Sequence, residues 1–149
     1  MTEDTINKAV TSFESGFNCS QSVFVAYAPL YGLDADIALR IGQPFGGGMG
    51  RSGEVCGAVS GALMALGLAE GNTDPENNEA KARVYTRASD FLKRFEARQE
   101  TVLCRELLGV DIGTEDGLQF AREQDLFHQQ CPAFVRAAAE ILQEMLSKD

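Results

Sequence analysis

Residues 55–69 read Val-Cys-Gly-Ala-Val-Ser-Gly-Ala-Leu-Met-Ala-Leu-Gly-Leu-Ala, fifteen positions with three glycines and no charge. The run falls short of the ~20 apolar residues that cross a bilayer. It therefore reads as a helix buried inside a protein, with the rest of the chain wrapped around it. Ser52 is placed to cap this helix, which is expected over Glu54 to Leu68, and Gly71 ends it.

Helical spacing continues on both sides. Upstream, Ile6, Val10 and Phe13 fall at intervals of four and three between Thr2 and Phe13, and Val23, Phe24, Tyr27 and Leu30 repeat the signal from Ser20 to Tyr31. Pro29 is a candidate kink there and Gly32 a stop. Asp34 caps a short helix through Ile37, Ala38 and Ile41 that stops near Gly42 and Pro44. Downstream, Asp74 before Pro75 opens a helix to about Arg98, with Val84, Ala88, Phe91, Leu92 and Phe95 inward. Thr101 caps a short helix through Leu107, ended by Gly109, and Thr114 or Glu115 opens another through Leu118 and Phe127. The last helix starts at Cys131 and Pro132 and turns Phe134, Val135, Ala138, Ile141, Leu142 and Met145 inward. No alternating segment longer than four residues survives this reading. The expectation is an all-α, single-domain bundle over residues 1–149, with about six to eight helices in an irregular arrangement rather than a simple four-helix bundle.

Thirteen basic against twenty-two acidic residues give a net charge of −9, which repels phosphate backbones and anionic lipid surfaces. Lys81, Arg83, Arg87, Lys93, Arg94 and Arg98 gather loosely, but Glu79, Asp90, Glu96 and Glu100 interleave with them as on a solvated helix face. Neither a nucleic acid nor membrane insertion is expected. Met1 to Val10 carries Glu3 and Asp4 and lacks the basic and apolar blocks of a secretory signal, so a cytoplasmic protein is expected.

The chemistry then rests on Cys19, Cys56, Cys104 and Cys131. Four cysteines are too few to staple a small secreted domain, and in a reducing compartment such residues are more often redox-active or metal-binding than permanently bonded. None forms a local CxxC pair. Each lies near the expected start of a helix, where unpaired N–H groups and the helix dipole favour an ionised sulfur. Convergence of the four would create one electropositive pocket for thiolates. Cys56, four residues past Ser52, is the position that packing alone would explain equally well.

At these residues the chain resembles a redox-active family of four-cysteine proteins named for a C_GCAxxG_C_C pattern. The matching positions are Cys19, then Cys56, Gly57, Ala58 and Gly61 as a CGAxxG motif, then Cys104 and Cys131; the order here is Cys-Gly-Ala where the name has Gly-Cys-Ala. The resemblance spans nearly the whole chain and implies a redox role in bacteria and archaea without a settled substrate. The chain is also similar to a domain attached to some multihaem cytochromes, and that likeness implies an iron–sulfur centre.

Gly57, Gly61 and Ala65 form a row without bulky side chains on the buried helix, suited to close approach by a neighbour that holds Cys56 in place. Gly48, Gly50 and Gly53 satisfy GxGxxG, but no strand precedes them, so a dinucleotide site is not expected. An anion at Arg51 and Ser52 fits that loop better, and a loop that lets backbone pass near the sulfurs fits it better still. His128, three residues before Cys131, is a candidate partner for that thiolate or an exposed residue of a connecting loop. Three readings follow. The first is a thiol–disulfide protein served by a redox partner protein. The second is an electron carrier in which the four cysteines bind an iron–sulfur cluster or zinc. The third is a helical interaction protein with structural cysteines. A homo-oligomer is compatible with each.

Overall fold

The computed structural model describes residues 2–147, and among them the chain forms eight α-helices and no strand. In order they are α1 Thr2–Glu14, α2 Cys19–Tyr27, α3 Ala35–Gly42, α4 Gly57–Glu70, α5 Asn78–Gln99, α6 Cys104–Leu108, α7 Glu115–Glu123 and α8 Leu126–Ser147. The all-α architecture expected from periodicity is the one observed.

Helix α2 is the axis of the molecule, because all nine of its residues are buried. A helix buried on every face must satisfy its polar side chains internally, and among those of α2 only the Ser20 hydroxyl is buried without a partner. Gln21 is satisfied by donating to Leu39 O at 2.9 Å, Ser22 by donating to Asn18 O at 2.7 Å, and the Tyr27 hydroxyl by donating to Ala139 O at 2.9 Å. Helices α1, α3, α4 and α8 pack around this axis, and α5 closes the far side against α4 and α8. On α5, Phe91 and Phe95 are fully buried with ring centroids 6.4 Å apart. The six inward residues expected of α8 are all buried.

Helices α2 and α4 approach closely where the sequence supplies glycine. A Cβ at Gly61 would lie 2.6 Å from Ser20 O, well inside van der Waals contact. The small-residue row of α4 is therefore a packing surface, as its spacing suggested.

Four element starts differ from expectation. Helix α4 begins at Gly57 with Cys56 as its N-cap residue, because residues 52–55 are taken up by a turn and a single bridge between Val55 and Leu103. Helix α5 begins at Asn78, since the Asp74 carboxylate closes a turn on Glu76 N at 3.0 Å and leaves Asn77 to cap Ala80 N at 3.0 Å. Helix α6 begins at Cys104, two residues later than a Thr101 cap implies; the Thr101 hydroxyl instead accepts from Leu103 N at 3.1 Å. Helix α8 begins at Leu126, with the break at Asp125, whose φ is +54°. Pro132 lies inside α8, and its missing N–H leaves out one bond near the helix start without ending the helix. Pro29 opens a 3-10 turn over Ala28–Tyr31 rather than kinking α2, and Gly32 at φ +88° terminates it.

Candidate functional site: four thiols around one cavity

The site is built first at the start of α2. Asn18 accepts from Gln21 N at 2.9 Å while Gln21 accepts from Asn18 N at 3.0 Å, a reciprocal capping box that fixes the first turn. Cys19 is the first helical residue, so its sulfur lies where backbone N–H groups are unpaired by the helix itself. The N–H groups of Cys19 and Ser20 both stabilise its ionised form.

The glycine-rich loop supplies another donor. Gly47 through Arg51 all have positive φ, between +59° and +70°, an unbroken left-handed turn. Glycine takes that conformation without strain, whereas Met49 and Arg51 adopt it at a cost of about 1 kcal/mol each. The turn is tied down by Gly50 N donating to Pro44 O at 2.7 Å and Glu54 N donating to Gly48 O at 2.9 Å. Successive left-handed amides form a concave anion-binding surface, and here the Gly47 N–H serves the Cys19 sulfur. A Cβ at Gly48 would lie 2.8 Å from Cys104 Cβ, so the same loop also runs against a second cysteine. The expectation that these glycines let backbone pass near the sulfurs is met at both positions.

Cys56 and Cys104 are brought together by backbone pairing absent from the sequence reading. Cys56 N donates to Val102 O at 2.8 Å and Cys104 N donates to Glu54 O at 2.7 Å, on either side of the Val55–Leu103 bridge. Arg105 reinforces the junction through an ion pair with Glu54 and through Arg105 N donating to Gly53 O at 3.1 Å. Thus α4 and α6 begin side by side, each with a cysteine at its first residue or N-cap.

Cys131 approaches from α8. It sits in the second turn of that helix, not at its N-terminus, and is half-buried, while the other three cysteines are buried. All four are free thiols and all four line one cavity of about 570 Å³. Phe13, Phe17 and Phe127 contribute to its apolar wall. Arg51 lines it too, but Ser52 is exposed outside it, and Gly57 and Gly61 sit behind it in the α2–α4 contact. His128 reaches the rim from the first turn of α8 rather than from a connecting loop, with Nδ1 2.6 Å from Asp125 Oδ1. Asn18, Gly47 and Arg122 also belong to this site and were not singled out from sequence. The Asn-x-x-Gln box at residues 18–21 was the one local signal available for Asn18.

Electrostatics divide the four sulfurs into unequal roles. The Cys56 thiol is placed to donate to Cys19, and this bond, with the amides of Gly47, Ser20 and Cys19, lowers the Cys19 pKa to about 7 against the opposing effect of burial. Donating that bond, burial, and the negative charge on Cys19 push Cys56 well up. Burial pushes Cys104 up to about 12, assisted by the charges of Cys19 and Asp111, and burial raises Cys131 in the same way. At neutral pH Cys19 is about half ionised and faces three protonated thiols.

A zinc ion or cluster iron held by these cysteines would place its sulfurs about 2.3 Å from metal, hence gathered within about 4 Å of one another. Among the described residues no three Cys, His, Asp or Glu side chains are so gathered. Among the described residues the donors do not form a metal site as arranged.

The fold and the site define a class: an all-α protein whose four cysteines, far apart in sequence, meet at one apolar-walled cavity with a single acidified thiol. A family model described as "Putative redox-active protein (C_GCAxxG_C_C)" matches residues 17–145, from just before Cys19 to the last turns of α8. The chain belongs to this redox-active family. No curated protein and no solved structure matches it. No helix among the described residues is long and apolar enough to cross a membrane.

Proposed function

We propose that this is a small cytosolic thiol–disulfide exchange protein in which Cys19 is the attacking thiolate and Cys56 the resolving thiol. One observation carries the reading: the Cys19 sulfur, acidified to about 7, is next to a protonated thiol that donates to it. An attacking thiol works best with a pKa near ambient pH, where thiolate is abundant and still nucleophilic.

In the reducing direction, the Cys19 thiolate attacks one sulfur of a substrate disulfide. The substrate S–S bond breaks, a Cys19–substrate mixed disulfide forms, and one substrate thiolate leaves. Loss of the negative charge at Cys19 removes the interaction that held the Cys56 proton, so Cys56 gives that proton to the leaving thiolate. Cys56 then attacks Cys19 Sγ, forming the Cys19–Cys56 disulfide and releasing the second substrate thiolate, which takes a proton from solvent. The substrate gains two electrons and two protons, and a dithiol redox partner restores the protein by the same exchange in reverse. Cys104 and Cys131 line the same cavity as protonated thiols.

Mass spectrometry after exposure to 2-hydroxyethyl disulfide tests the assignment. Wild type is expected to lose two hydrogens as an internal disulfide, Cys56→Ser to retain a mixed disulfide at Cys19, and Cys19→Ser to react at least tenfold more slowly. A Cys19→Ser variant that reacts as fast as wild type rejects the role given to Cys19.

A further inference from the structure

The cavity that holds the thiols differs in charge from the rest of the chain. The protein carries twenty-two carboxylates and a net charge of −9. Among the described residues no Asp or Glu lines the cavity, while Arg51, Arg122 and His128 do. Arg51 projects from the left-handed turn whose backbone already serves the Cys19 sulfur, and Arg122 comes from the last turn of α7. Among the described residues neither arginine is paired with a carboxylate; Arg87, Arg94, Arg98, Arg105 and Arg136 are, and the other unpaired arginines, Arg40 and Arg83, lie outside the cavity. Two cations left unneutralised at the edge of an apolar cavity attract an anion more strongly than the same charges would on open surface.

Size and depth narrow the occupant further. Cys19, Cys56 and Cys104 are each no more than 9% exposed, so a reacting disulfide must enter the cavity rather than touch it from outside. About 570 Å³ lies within the roughly 300–1,000 Å³ of small-molecule sites. The walls supplied by Phe13, Phe17, Phe127 and Phe134 favour an occupant with an apolar body.

We propose that the substrate is a low-molecular-weight disulfide bearing anionic groups on an apolar body, seated with its charges toward Arg51 and Arg122 and a sulfur toward Cys19. This rests on the thiol-exchange reading for its chemistry, but the anion selectivity of the cavity stands on the charge distribution alone. The electron balance is that given above, with the two sulfurs of the small molecule as the acceptor.

The test has two arms. In the first, fully reduced protein reacts at low salt with 5,5′-dithiobis(2-nitrobenzoate), which is dianionic, with neutral 2-hydroxyethyl disulfide and with dicationic cystamine. Each rate is divided by that of 2-mercaptoethanol at the same pH. The normalised rate for the dianion is expected to exceed that for the dication at least tenfold, and the ratio to collapse toward one at about 0.5 M salt, where the Debye length is a few ångströms. Arg51→Gln with Arg122→Gln is expected to compress the same ratio without added salt. In the second arm, full-length protein is titrated calorimetrically with 5-(methylthio)-2-nitrobenzoate, a thioether that cannot exchange, and with its methyl ester. The acid is expected to bind at least tenfold more tightly. Equal normalised rates together with equal binding of acid and ester overturn the proposal. Selective binding of the acid without exchange of any disulfide leaves the anion site standing and overturns the thiol-exchange reading.

Discussion

Gly57 stands directly against Cys19: a Cβ at residue 57 would lie 2.5 Å from Cys19 Sγ and 3.0 Å from Ser20 N. The first residue of α4 is thus part of the wall that holds the reactive sulfur among its donors. Replacing it with alanine gains about 1 kcal/mol of helix propensity, yet overpacking a contact this close costs about 1–3 kcal/mol. Gly57→Ala is expected to lose up to about 2 kcal/mol in urea unfolding and to raise the Cys19 pKa as the sulfur is pushed off its amides. A variant with unchanged stability and an unchanged alkylation profile contradicts the contact.

The rate of Cys19 alkylation by iodoacetamide should follow a titration with its midpoint near pH 7, read by mass spectrometry of the modified peptide. The hydrogen bond from Cys56 is the largest influence lowering that midpoint. Cys56→Ala removes it while burial still opposes ionisation, so the midpoint is expected to rise by about one unit or more, toward or beyond the ordinary ~8.5. An unmoved midpoint dissociates the two thiols.

Much of this arrangement was legible in the sequence because helices announce themselves locally. The stripe on α8 is buried; Ile6 is buried with Val10 and Phe13 partly buried beside it; and the apolar run at residues 55–69 is buried through Leu66 except for the half-buried Val55, Ser60, Leu63 and Met64, whereas Gly67 and Leu68 are exposed. The cysteines were legible as candidates, since residue type and proximity to helix starts are both written in the chain. Their surroundings were less so. The Val55–Leu103 bridge joins segments 48 positions apart, and no periodicity marks a single bridged pair. Cys131 was misplaced because Pro132 reads as a helix start, whereas the break is made by Asp125, a non-glycine residue at positive φ. That the Gly47 amide faces Cys19 depends on a left-handed turn whose members include Met49 and Arg51, residue types that do not advertise it.

Stability should carry the signature of the acidified thiol. The folded-state pKa of Cys19 is depressed below that of the unfolded chain, so its ionised form stabilises the fold fully above about pH 8.5 and this contribution is lost as pH falls through 7. A difference of about 1.5 units corresponds to about 2 kcal/mol. The raised pKa values of Cys56, Cys104 and Cys131 act in the opposite sense, weakening the fold as pH rises above 8.5. Comparing wild type with Cys19→Ala isolates the first effect. Their difference in unfolding free energy is expected to shift by about 1.5 kcal/mol in favour of wild type between pH 6.5 and 8.5. A difference independent of pH excludes a depressed Cys19 pKa.

Asn18 offers a way to separate holding the helix from tuning the sulfur. Its Oδ1 accepts from Gln21 N at 2.9 Å, and its Nδ2 donates to Gln43 O at 3.0 Å beneath Gly46. Asn18→Ala removes both bonds and is expected to cost about 1–2 kcal/mol, the usual range for a lost cap with one further hydrogen bond. Asn18→Asp keeps the cap acceptor and loses only the donor to Gln43, so it should retain more of that stability. It also sets a carboxylate one residue from Cys19, where it opposes a second negative charge. The alkylation midpoint of Cys19 is therefore expected to rise by several tenths of a unit in Asn18→Asp even where thermal unfolding changes less than in Asn18→Ala. If the two variants rank in the same order for stability and for Cys19 reactivity, the cap acts only through the helix, and the local charge around the sulfur does not set its pKa.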